Sequence, residues 1–461
     1  MFSKIRLLIM TAFIIGNVHA SWKGAQQAIK QSNSSSRLKN LIIELVEGGY
    51  YYSALPMMKE YLTKDTKNLS SEVERAFAKM IQVVGIKQFE TLPYRYLVRS
   101  RSPSIGYIMA KKLFRERKYA KALTNLKRIP SSHPVYAYAR NMEATIYALK
   151  GMNRQAFEVF EECENIAVEA GNKSLKLNRD YCIAGKARAK FALKDHSQSD
   201  LLYLDISKES RIWPEILFEE AWNSFYQKNY NRTLGKLVSY KAPVFQRFFN
   251  PEVDVLNALT YLKLCLYADA KQVSDRFYKS YWNDFKKLNR YLNRTGKRFD
   301  RYYDLMVNYE QFGKTLSPLM STLLQGVQGE VAFEVLKRQL LEANNEFERI
   351  RAKSNSAFKN FVVKNLEEAV RSQKMIIGSY IRGKLSSYYS QLYNAFEGMS
   401  YIKLEVLAQR KAKLYSFDQK DRKRGDIKYI QRNEKQYFWD FNGEFWADEL
   451  GDYVFGLKSE C

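Results

Sequence analysis

Pro103 to Ala170 is one motif written twice, with a shift of 34 residues, and nothing else in the chain limits the fold so strongly. Ala110 falls on Ala144, Leu113 on Tyr147, Ala122 on Ala156 and Leu126 on Phe160. In each copy an apolar residue follows the first small residue at helical spacing, and a second small residue with its own apolar partner comes later. Small residues let two antiparallel helices approach closely. The large apolar side chains then fill the layer between successive helix pairs. The pattern predicts two helical hairpins stacked in tandem, because one such unit cannot bury its apolar face without a neighbour.

A period of this length and content resembles the tetratricopeptide repeat family. Tyr119 ahead of Ala122 and Pro134 at the repeat end also fit that family, while Gly106 stands where it usually has tryptophan. Two periods upstream of Ala122 lies Ala54, in a segment from Leu38 to Leu62 that is broken at Gly48-Gly49. A unit between them, Glu72 to Leu92, carries Ala76, turns at Gly85 and has Gln88 at its second small position. Beyond Ala170 the step lengthens near Gly171 to Lys176, and Asn178 to Leu204 reads as a further hairpin. Trp213-Pro214 opens the next, with Ala221, Tyr230, Thr233 and Leu237 in place. Pro251 opens another, with Ala258, Tyr261, Tyr267 and Ala270. Proline suits a first helical position, where its missing N–H is not needed. The expectation is an all-α chain: a tetratricopeptide-like solenoid of about seven hairpins over residues 37–283, with connecting helices at 284–318.

Pro318 is the last proline. After it, Leu336, Leu340, Ala343, Phe347, Ile350, Ser354, Ala357 and Phe361 alternate steps of four and three, a heptad seam with one serine defect. Leu366, Val370, Ile377, Leu385, Tyr388, Leu392 and Phe396 continue it less strictly. Residues 319–415 therefore predict long, coiled-coil-like helices. Gly378, Gly383 and Gly398 are candidate breaks, so one rod and a folded-back hairpin both remain open. Residues 416–461 read as a basic loop and an aromatic tail. The run Tyr437-Phe438-Trp439-Asp440-Phe441, with Phe445-Trp446 beyond it, is too apolar to sit in water. It is expected to dock on the helical body, the alternative being a plug for a partner.

Residues 1–20 have the form of an export signal: Lys4 and Arg6, an apolar core from Leu7 to Gly16, then Val18-His19-Ala20. Residues 21–36 read as a flexible Gln- and Ser-rich leader. No later run is apolar enough over about 18 residues to span a bilayer. An exported product, periplasmic or associated with the outer membrane, is expected. The net charge of +26 favours anionic surroundings, whether lipid headgroups, cell-wall polymer or acidic protein. The four cysteines, Cys163, Cys182, Cys265 and Cys461, allow three pairings or none. Cys265 lies in the apolar run Tyr261 to Tyr267, and Cys461 is the last residue, so pairing these two would hold the tail down.

Catalytic signals are absent from the sequence. The three histidines, His19, His133 and His196, have no metal-ligand spacing or nearby nucleophile. No phosphate-binding glycine loop, dinucleotide fingerprint or Gly-x-Ser-x-Gly occurs. Neither an enzyme nor a cofactor or metal is expected. The tetratricopeptide resemblance instead implies a concave groove lined by the first helix of each hairpin. Its groove positions fall on Tyr107, Lys111, Phe114 and Arg115, then Tyr138 and Asn141, then Phe218, Trp222, Phe225 and Tyr226. Aromatic and basic residues together suit an extended, partly acidic peptide. Single-stranded nucleic acid would suit them too, but export argues against that partner.

Two blocks carry a narrower likeness. One is Trp213-Pro214-Glu215 with Phe218 to Trp222, Asn229-Tyr230 and Pro251 to Tyr267; the other is Phe438-Trp439 with Phe441 to Gly451 and Cys461. Together they are similar to exported tetratricopeptide proteins of gliding and predatory bacteria, including a periplasmic component of adventurous gliding machinery. That resemblance implies an envelope scaffold holding protein partners through its groove and its C-terminal helices. The alternative is a basic envelope factor that binds cell-wall polymer or an anionic membrane surface.

Overall fold

The computed structural model describes residues 22–32, 34–64, 69–133, 135–169, 179–312, 316–412 and 426–461. The export signal, Pro134, the insertion at Gly171 to Lys176 and most of the basic loop lie outside these residues. The fold is all-α. Its elements are α1 (22–28), α2 (Ser34–Glu47), α3 (Tyr51–Thr63), α4 (Ser71–Val84), α5 (Lys87–Glu90), α6 (Tyr94–Leu97), α7 (Pro103–Arg115) and α8 (Tyr119–Leu126). Then come α9 (Tyr136–Leu149), α10 (Asn153–Glu169), α11 (Arg179–Ala192), α12 (His196–Tyr203), α13 (Trp213–Tyr226), α14 (Tyr230–Val238), α15 (Glu252–Lys263) and α16 (Tyr267–Thr295). Last are α17 (Phe299–Val307), α18 (Tyr309–Phe312), α19 (Pro318–Gln328), α20 (Val331–Arg351), α21 (Ala357–Ala412) and one parallel pair, β1 (Trp439–Asp440) and β2 (Tyr453–Val454). No described helix is long and apolar enough to cross a membrane.

Six hairpins share one turn. Gly49, Arg117, Gly151, Lys194, Lys228 and Cys265 all have positive φ, between 57° and 75°. After each, the next N–H reaches a carbonyl five residues back: Tyr50 to Leu45, Lys118 to Leu113, Met152 to Tyr147, Asp195 to Lys190, Asn229 to Ser224 and Leu266 to Tyr261, at 2.8–3.0 Å. This left-handed closure satisfies the orphan carbonyls of the first helix and turns the chain at a fixed angle. Four of the six residues are not glycine, so the turn is held against about 1–2 kcal/mol of local preference. The paired helices touch through the small residues that set the period. Ala54, Ala110, Ala122, Ala144, Ala156, Ala221, Ala258 and Ala270 are all completely buried.

The segment expected to form a hairpin at Glu72 to Leu92 differs. α4 is followed by two single-turn helices, α5 and α6, because Pro93 stops the chain. Gln88, at the small-residue position, is buried and donates to Gln373 Oε1 at 2.8 Å instead of packing tightly.

The chain divides into two compact units, and α9, α17 and α21 contribute to both. The first comprises the stretch to Ala139, with Phe299–Asp304 and Glu330–Tyr380. Here the expected flexible leader is helical over 22–28. Trp22 is buried with its ring centroid 5.1 Å from Tyr50 and 4.8 Å from Phe358, so an apolar anchor outweighs the polar composition around it. The expected seam through Ser354 is broken: the helix stops after Arg351 and restarts at Ala357, and α20 folds back along α21. Gln373 Nε2 donates to the Leu336 carbonyl at 3.1 Å across this pair. After the break Phe358 and Val362 are buried in place of the expected Ala357 and Phe361, which lie outside the core, and the expected Leu366 is buried again. The candidate glycine breaks lie inside α21. At Gly378 a Cβ would stand 1.9 Å from the Phe299 carbonyl oxygen, so glycine permits a close approach there.

α20 also reads the first turn of the array. Buried Glu346 accepts from Tyr52 N at 3.0 Å, from Ser53 N at 2.8 Å and from Ser53 Oγ at 2.6 Å, so it caps α3 from a distant part of the chain. Arg349 donates to the Gly49 carbonyl at 3.0 Å. Glu346→Ala leaves two buried N–H groups unpaired and should cost about 3 kcal/mol. Urea unfolding followed by circular dichroism measures this, and Glu346→Gln, which keeps an acceptor, should lose less.

The second unit comprises Arg140–Arg298, Leu305–Gly329 and Ile381–Cys461. Its α16 runs past the expected end of the array near residue 283 and lies antiparallel to α21. Phe277 meets Phe396 at 4.9 Å, and Phe285 stacks on Tyr389 at 4.9 Å. The tail packs Phe441, Leu450 and Tyr453 against Trp213, Leu217, Val238 and Phe245. Cys265 is joined to Cys461 and Cys163 to Cys182 by disulfides.

Candidate interaction surface

The ten expected groove residues fall into two environments. On α7, Lys111 and Arg115 both pair with Glu90 of α5, at 2.8 Å and 2.7 Å. Burial pushes the Glu90 carboxyl up, but the two cations outweigh it and hold it below the usual carboxylate range. Tyr107 is buried, 6.4 Å from Tyr138, and burial raises its phenol well above the ordinary value. Phe114 is half-buried, 5.8 Å from Tyr119. Glu90 of α5 engages both cations of this group, leaving one net positive charge there. Asn141 on α9 is half-buried, and its carbonyl accepts from Thr145 Oγ1 at 2.8 Å.

The α13 group is open only at Tyr226, since Phe218, Trp222 and Phe225 are half-buried against Ala221, Leu237 and Leu256. Phe218, Trp222 and Phe225 recur at helical spacing and form a continuous run with Tyr226. Trp222 lies 6.4 Å from Phe218, 5.5 Å from Phe225 and 5.9 Å from Tyr226. Two residues that the sequence did not single out as contacts extend it. Phe191 at the end of α11 stands 5.3 Å from Tyr226, and the His196 imidazole stacks on Tyr226 at 5.9 Å. His196 is fixed in place, with Nδ1 2.9 Å from Asn223 Oδ1 while Asn223 Nδ2 donates to the His196 carbonyl at 2.8 Å. The sequence signal, Phe191-Ala192-Leu193-Lys194 set against Tyr147 to Lys150, is one residue out of register with the structure, where Lys194 holds the turn position of Gly151. Tyr226 is 56% exposed, Phe191 and Trp222 are half-buried, and the turn lysines Lys194 and Lys228 are exposed beside them. The result is a ridge of ring faces with cations at its end, suited to apolar or aromatic side chains on an extended segment that also carries carboxylates.

The neighbouring charges are committed elsewhere. Arg188 pairs with Glu219 at 2.7 Å. Below the ridge, buried Asp200 accepts from Arg232 at 2.8 Å and from Gln436 Nε2 at 2.9 Å. Buried Lys236 lies 3.2 Å from Glu220 and 3.3 Å from the Gly451 carbonyl oxygen, to which it donates. Burial pushes the Glu220 carboxyl up, against the pull of Lys236. Gln436 and Gly451 belong to the tail, so this cluster anchors the tail to α12–α14. Asn231 completes the anchor: its Oδ1 accepts from Leu457 N at 3.0 Å and its Nδ2 donates to the Leu457 carbonyl at 2.9 Å.

No family model matches this chain, and no curated protein matches it.

Proposed function

We propose that this chain is a non-enzymatic, tetratricopeptide-like scaffold of a cell-envelope assembly, and that the ridge from Phe191 to Trp222 receives an extended, partly acidic segment of a protein partner. The observation that carries this reading is the mutually supported run Phe191, His196, Tyr226 and Trp222, in which Tyr226 is exposed and the other three are half-buried, with exposed Lys194 and Lys228 in the turns that follow α11 and α13. The repeated turn, spaced by 34 residues from Arg117 to Gly151 and again from Lys194 to Lys228, supports a tetratricopeptide-like array. The basic and apolar start of the chain and the two disulfides support an exported, oxidising location. An envelope machine of the gliding type is the setting in which the C-terminal block would serve.

The test is a photo-crosslinking amino acid at position 226 in cells. The expected product joins the chain to an envelope protein and is lost when Trp222→Ala and Phe191→Ala are combined. Cross-links that persist in that double variant, or none at all from position 226, overturn the assignment of the ridge.

A further inference from the structure

We propose that the outer face of α16 is a contact for an anionic lipid surface, separate from the aromatic ridge on α11–α13. Lys279, Trp282, Lys286, Arg290 and Arg294 recur at steps of three and four, and all are exposed. They form one stripe about 22 Å long, at 1.5 Å per residue. Among the described residues none of these four cations has an acidic partner within 4 Å, whereas two of the three acids on the same helix are neutralised. Asp275 pairs with Lys271 and lies 3.7 Å from Lys403, and Asp284 pairs with Lys287 at 3.1 Å. The stripe is therefore uncompensated positive charge.

Trp282 stands in its midst, 42% exposed yet held from behind by Phe396, 5.3 Å away. Lys286 lies over its ring at 4.4 Å. Tyr393, one turn before Phe396 on α21, adds a second exposed ring. Amphipathic rings among lysines are the side chains that settle at the headgroup level of a bilayer. The outer face of a helix is convex and has no walls to grip a peptide. A flat polyanionic surface matches it, because all the cations can engage at once.

Sedimentation of the full chain with phosphatidylcholine vesicles, with and without phosphatidylglycerol, tests this. The apolar stretch Leu7 to Gly16 is common to parent and variants, so differences between them report on α16. The parent should bind the anionic vesicles, and binding should fall as salt rises. Lys279→Ser with Lys286→Ser and Arg290→Ser should weaken it about a hundredfold, while Lys279→Arg with Lys286→Arg should bind as the parent does. Trp282→Ala should weaken binding with the charge unchanged. Circular dichroism confirms that each variant folds. Parent-like binding by the triple serine variant overturns the proposal. So does a parent that ignores anionic vesicles but binds soluble polyglutamate or purified cell-wall polymer.

Discussion

Gly235→Ala should detach the C-terminal tail from α14. A Cβ at this position would stand 1.6 Å from the Tyr453 carbonyl oxygen and 2.3 Å from its carbon, so either the helix or β2 must move. The helix is the fixed partner. Leu234 and Leu237 on either side are buried, and Thr233 and Lys236 are buried as well. The tail yields instead, and with it go the buried Phe441, Leu450, Tyr453 and Val454 and the carbonyl that Lys236 requires. At about 1.5–3 kcal/mol for each large apolar side chain, offset by the order regained in a released tail, a loss on the order of 4 kcal/mol is expected. Limited proteolysis under non-reducing conditions should then cut between 430 and 455, where the parent resists. Gly383→Ala is the control: nothing lies within 4 Å of its Cβ, and alanine inside a helix should stabilise by about 0.5–1 kcal/mol. A Gly235→Ala chain as resistant as the parent would mean that the tail is not held by this contact.

The contrast between these two glycines shows why parts of the fold were legible and parts were not. A period set by alanines can be read from sequence, because Ala110 and Ala144 must both vanish into a helix pair. A glycine inside a helical pattern cannot be read alone. Gly378 resembles a break, yet it is the place where another backbone comes within contact distance. The true break at Ser354 carried only the signal of one polar residue in a seam. The turn shared by six hairpins was half hidden, since Arg117, Lys194, Lys228 and Cys265 adopt a conformation that their side chains do not announce. The same limit applies to the ridge. Spacing on α13 exposed Phe218, Trp222, Phe225 and Tyr226, but Phe191 and His196 join only through the packing of the preceding hairpin. On α7 identical reasoning pointed at Lys111 and Arg115, and only the structure reveals Glu90 beneath them. The α4–α6 segment that delivers Glu90 departs from the repeat, so no register could place it.

Converting Cys265 and Cys461 to serine should lower stability by more than removing any single side-chain contact of the tail. The two residues are 196 apart in sequence, against 19 for Cys163 and Cys182. Loop-closure entropy in the unfolded chain gives about 5 kcal/mol for the long loop and about 3 kcal/mol for the short one. Urea midpoints of the two double-serine variants, compared with the parent, test the order; an equal or reversed order would show that the long loop is already compact when unfolded. The tail end has few other ties, chiefly Glu460 N to the Leu264 carbonyl at 3.0 Å and the Asn231 clamp on Leu457. The disulfide and Gly235 should therefore act on the same equilibrium. With the bond intact, a tail displaced by Gly235→Ala stays tethered at high local concentration and rebinds. In the double-serine background the same alanine should leave the tail open to protease without measurable reclosure, so the combined loss exceeds the sum of the two. Simple additivity in that cycle would separate the two anchors and leave Asn231 as the element that holds the end of the chain.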